Sequence, residues 1–116
     1  MAIFMGSTPT VTVVISTDEV AWANLSKVYL TFAQKNTVIT TLNTTFTKGG
    51  SPTPELSSDG KTFKCSKQLT QANTLAFTPD EDLDCQVDVI TTGGDRMTSK
   101  IFSFGVCKSL RTGELT

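Results

Sequence analysis

The chain has 116 residues, 38% hydrophobic and 18% charged, with ten basic and eleven acidic side chains and a net charge of −1. That length supports one domain around one proper core and is too short for two. The balanced, scattered charge gives no electrostatic case for a nucleic-acid partner, and no apolar run approaches the roughly 18–20 residues of a bilayer span.

The composition is globular, neither disordered nor fibrous. The opening Met1-Ala2-Ile3-Phe4-Met5-Gly6 has no basic lead and too short an apolar stretch for a secretory signal. The expectation is a soluble chain made in the cytoplasm and not exported by the ordinary route, with no membrane partner. Threonine is the most informative residue type, at 21 of 116. Its β-branched side chain suits a pleated, half-solvated surface and loses rotamer freedom in a helix.

In chain order, residues 10–16 predict a first strand, with Val11, Val13 and Ile15 on one face and Thr12 and Val14 on the other. Residues 27–34 predict a second, with Val28, Leu30 and Phe32 inward. Lys35-Asn36 breaks the pattern before a further β run at 37–42, so the pair reads as a hairpin. Residues 43–47 continue or restart that strand. Lys48-Gly49-Gly50-Ser51-Pro52-Thr53-Pro54 is a loop, because neither Pro nor Gly suits a ladder interior.

Asp59-Gly60 predicts a two-residue type I′ turn joining 55–58 to 62–69, where Phe63, Cys65 and Leu69 share a face. Thr70 followed by Gln71-Ala72-Asn73-Thr74-Leu75 predicts one capped helical turn, pinned by Leu75 and Phe77. Residues 78–82 form a second turn cluster. The strand at 83–90 is the cleanest in the sequence, with Leu83, Cys85, Val87 and Val89 alternating against Asp84, Gln86 and Asp88. Thr92-Gly93-Gly94-Asp95 then turns the chain into a single last strand at about 97–106.

About seven strands, regular turn signals and no long helix predict an all-β fold, an antiparallel two-sheet β-sandwich of immunoglobulin-like size. The sandwich is expected over 10–107, between an N-terminal arm at 1–9 and a C-terminal tail at 108–116.

The chain has no histidine. That removes Ser–His and Cys–His dyads and the commonest transition-metal ligand, and no nucleophile elbow, phosphate loop or dinucleotide fingerprint appears. The expectation is therefore no enzyme, no catalytic residue, no cofactor and no metal. Cys65, Cys85 and Cys107 are odd in number and widely spaced. They fit three small apolar side chains better than a disulfide or a zinc site. Asp80, Asp82 and Asp84 alternate as in a calcium loop, but Cys85 and Thr91 stand where that loop needs glycine and glutamate. Sequons at Asn24 and Asn43 carry little weight in so threonine-rich a chain. Trp22 lies in a link between strands. It is expected to fold back over an open end of the core, the other reading being an exposed anchor for a ligand or partner.

Several pieces resemble, in the same order, a family of short proteins encoded in phages and prophages of Gram-positive bacteria. They are Gly6-Ser7-Thr8-Pro9-Thr10-Val11-Thr12-Val13; Val28-Tyr29-Leu30-Thr31-Phe32 with Gln34; Leu69-Thr70-Gln71 leading to Thr74-Leu75-Ala76-Phe77; Cys85-Gln86-Val87-Asp88-Val89; and the closing stretch from Leu110 to Leu115. More loosely, the chain is similar to the β-sandwich N-terminal domain of phage baseplate upper proteins. This resemblance implies a virion component that assembles with itself or with other capsid, tail or baseplate proteins, and it supplies no catalytic residues. The chain departs from the family in its longer Gly49–Pro54 loop and its cysteines. The arm and the tail are the expected contact elements, through Ile3, Phe4, Leu110 and Leu115. A host-surface or glycan-recognition module is the alternative, with Trp22 as its anchor.

Overall fold

A computed structural model describes residues 2–99, 101–110, 113 and 115. Among them it places ten strands: β1 Ala2–Phe4, β2 Thr10–Ser16, β3 Leu25–Gln34, β4 Thr37–Val38, β5 Thr44–Thr47, β6 Glu55–Leu56, β7 Thr62–Gln68, β8 Leu83–Thr91, β9 Arg96–Thr98 and β10 Phe102–Cys107. One short helix, α1, spans Gln71–Leu75, and 3-10 turns occupy Trp22–Asn24 and Thr40–Leu42. The fold is all-β, in two sheets.

The larger sheet runs β1-β10-β8-β3-β4, with β5 also paired to β3 and β9 to β8. The smaller sheet runs β2-β7-β6. β3 and β8 form the long central pair of the larger sheet, matched from Val28 opposite Val89 to Ala33 opposite Asp84. Their period-2 patterns agree, so Val28, Leu30, Phe32, Leu83, Cys85, Val87 and Val89 all point into the core. From the smaller sheet come Val11, Ile15, Phe63 and Cys65. Each such aliphatic or aromatic side chain contributes roughly 1.5–3 kcal/mol by leaving water.

Four sequence expectations change. Residues 1–9 are not all an arm: β1 pairs in parallel with β10, placing Ile3 opposite Val106, and Met5 N–H bonds the Cys107 carbonyl at 3.0 Å. Ile3 is 0% exposed and belongs to the core. Ile3 is thus not a surface contact, because its apolar side chain closes the end of the large sheet. The second change is in the turns. The two-residue hairpin turn with both residues at positive φ is Lys35-Asn36 (50° and 62°), and not Asp59-Gly60, where only Gly60 is left-handed. At the latter, the Ser57 hydroxyl and the Lys61 N–H both donate to the Asp59 carboxylate, and this side-chain turn spans a wider loop.

Third, the run at 37–42 leaves the sheet after Val38, and β5 rejoins β3 further along. Fourth, the single last strand is two, β9 and β10, sharing one edge of β8.

The helical turn is capped as expected. Thr70 accepts from Asn73 N–H while the Asn73 side chain accepts from Thr70 N–H. Thr74, 0% exposed, turns its hydroxyl to the crossing segment, accepting from Gly6 N–H at 2.9 Å and donating to the Ser7 carbonyl at 2.8 Å. Gly6 sits at φ +86°, and a Cβ there would lie 3.4 Å from Leu75 Cδ2.

Candidate functional site

The two sheets differ in width, and the difference leaves one side of the sandwich open. The smaller sheet ends at β2, whereas the larger continues past β8 into a further column made of β9 and β10, with β1 beyond the Gly105–Cys107 end of β10. Side chains in that column face inward wherever they stand opposite an inward residue of β8. Met97 is opposite Val89, Phe102 opposite Cys85 and Phe104 opposite Leu83. Phe104 packs partly buried against the core, whereas Met97 remains 44% and Phe102 40% exposed.

Local chemistry builds the break between β9 and β10. Ser99 N–H donates to the Val87 carbonyl, and Val87 N–H donates to the Ser99 hydroxyl at 3.0 Å. The serine side chain thereby takes the place of a ladder carbonyl. Ile101 is 58% exposed beside Phe102.

The facing edge of β2 is open too. Leu69 N–H bonds the Pro9 carbonyl and Thr17 N–H bonds the Lys61 carbonyl, and the register between them is unbroken. Val11, Val13 and Ile15 therefore bond to β7, and the N–H and C=O groups of the residues between them point away from it. Ser16 spends its carbonyl on Glu19 and Val20 N–H groups. The backbone groups of Thr12 and Val14 find no partner among the described residues. Val14 is 62% exposed on the outer face.

Two clefts of about 150 and 350 Å³ lie along this edge and share Val13, Val14 and Phe102. Among the described residues, Glu19 is the one charged residue lining them. A wider cleft of about 530 Å³ lies between the β3–β4 hairpin and α1. Its polar groups are mostly spent. Gln34 donates to the Thr78 and Glu81 carbonyls and accepts from Thr78 N–H, and Lys35 pairs with Glu81 at 3.4 Å. Among the described residues, none of these clefts, nor the two around Glu55, brings two carboxylates together.

The sequence-derived residues scatter. Phe4 is 54% exposed on β1, with its face opposite that of Ile3. Leu110 makes no burial against its own chain, and Leu115, 60% exposed, is held through its backbone to the Gln71 side chain at 2.6 and 2.8 Å. Trp22 is half-buried against the core, its ring 5.7 Å from that of Phe63, with Lys48 Nζ 4.8 Å above it and donating to the Trp22 carbonyl. Cys65 and Cys85 are buried free thiols, pushed up to about 12 and about 11 by desolvation, and Cys107 is half-buried. Val14, Met97 and Phe102 were not singled out from the sequence. The available signal was the Val13-Val14 pair, which breaks the Thr/Val alternation and puts an apolar residue on a wet face.

Comparison with protein-family models, with curated proteins and with solved structures finds no match.

Proposed function

We propose that this protein is a non-enzymatic virion structural subunit, a two-sheet sandwich of immunoglobulin-like size that assembles with itself or with other phage proteins. The observation that carries the assembly reading is the open side of the fold. There Val14, Met97, Ile101 and Phe102 stay exposed next to the unpaired edge of β2. Soluble monomers ordinarily cover or charge such an edge, and this one carries neither a charge nor an internal proline. The phage setting rests on the resemblance of the quoted segments. The cover that Phe63 and Lys48 give Trp22 supports assembly over glycan recognition, and the lack of paired carboxylates in the clefts supports it over catalysis.

Light scattering on the purified protein tests the reading, alone and mixed with capsid, tail and baseplate proteins of the same genome. A defined oligomer or a stable complex is the expected result. A persistent monomer that binds none of them refutes it.

A further inference from the structure

Resting on the assembly reading, we infer that the open edge of β2 is a docking slot for one extended strand, and that the strand is the segment around Leu110 of a second copy of this chain. The slot is one strand wide. The smaller sheet stops at β2, while the larger carries one further column at the level of β9 and Phe102–Phe104, since β1 joins β10 only at Gly105–Cys107. A strand added beside β2 at the usual spacing of about 4.8 Å would lie over Met97, Phe102 and Phe104. Two copies joined β2 to β2 would instead bring both overhanging β9–β10 columns into the same space. A single strand avoids that clash, takes up the Thr12 and Val14 backbone groups and covers the apolar shelf.

Charge and exposure select the occupant. Among the described residues the clefts carry one charge, Glu19, at the end nearest Ile15 and Val20. In Lys108-Ser109-Leu110, an apolar residue fully free of its own chain stands two positions after a cation. Laid antiparallel to β2, with Leu110 beside Val13 and above Phe102, the segment carries Lys108 toward Glu19. A chain's own tail does not fill its own slot. β10 runs toward the Thr10 end of β2, where Cys107 is tied to Met5, and Leu115 is bonded beyond it to Gln71 of α1. Slot and strand therefore meet between copies, head to tail, which closes as a ring or extends as a filament.

Two full-length variants test this, Val14→Pro, which removes the edge N–H and puts a ring in the slot without touching the β2–β7 ladder, and Leu110→Lys to spoil the strand. Both sites are exposed, so neither substitution touches the core. By light scattering over a concentration series, the unaltered chain should associate, and each variant alone should associate about tenfold more weakly or worse. An equimolar mixture of the two should form one-to-one dimers and nothing larger, because one intact slot meets one intact strand. Glu19→Lys should weaken association, and adding Lys108→Glu to it should restore it. Either position variant associating as the unaltered chain does, or a mixture that stays monomeric, overturns the inference and leaves the assembly reading standing. So does an unaltered chain that is monomeric alone yet binds another virion protein. Failure of the chain to associate with anything removes both.

Discussion

Among the described residues, Thr74 and Gln34 are the two buried polar side chains, and both tie remote segments together. The Thr74 hydroxyl holds the Gly6–Ser7 crossing against α1, and the Gln34 amide holds the hairpin end of β3 to the Thr78–Glu81 turn. Thr74→Val keeps the shape but strands the part-buried Gly6 N–H and Ser7 carbonyl. It should cost about 1–3 kcal/mol in a urea titration, and Gln34→Ala should cost a similar amount. An unchanged midpoint would show that water replaces these bonds. The thiols make a pH prediction. Cys65 and Cys85 ionise at about 12 and about 11 when folded, against an ordinary value of 9.0. The folded chain holds those protons after the unfolded chain has begun to lose them. Their contribution is intact below pH 9 and declines between about pH 9 and 11–12, which denaturant midpoints at pH 8 and pH 10 would register.

At the scale of elements, β1 separates packing from contact. Ile3 is buried opposite Val106, so Ile3→Ala should cost about 2–5 kcal/mol of stability, read from the denaturant midpoint, and leave association per folded molecule unchanged. Loss of association at unchanged stability would return Ile3 to the surface role that its place in the sequence suggested. The strands with strict alternation were legible, β2, β3, β7 and β8 above all, because their inward sets follow the period of a pleated chain. The capped turn at Thr70 was legible from local chemistry alone. β1 was not, since its pairing joins residues more than a hundred positions apart and three residues carry too little pattern. The turns exchanged geometries for a similar reason. Asp59 gains bonds from Ser57 and Lys61 that hold its carboxyl below the usual carboxylate range, and this local network outweighs the I′ preference of Asp-Gly.

At the scale of the molecule, the two sheets enclose one core but do not match in width. Removing residues 108–116 should leave a folded monomer that no longer associates, with circular dichroism checking the fold and light scattering the mass. Unchanged association would refute the tail as a contact element. Leu110 and Phe4 were legible as contact candidates only as apolar residues without an evident inward partner, and both are exposed. The shelf of Met97 and Phe102 was not legible, because both residues face inward. Their exposure depends on the absence of a strand from the other sheet.

The sequence by itself determined the β class, the inward faces of the long strands, the helical cap and the lack of any histidine chemistry. These follow from side-chain branching, period and residue type, which act within a few positions of the chain. Only the tertiary structure decided where Ile3 goes, how the last strand divides and which edge stays open. Each of these depends on pairings between distant segments and on the relative widths of two sheets, quantities that no local pattern encodes.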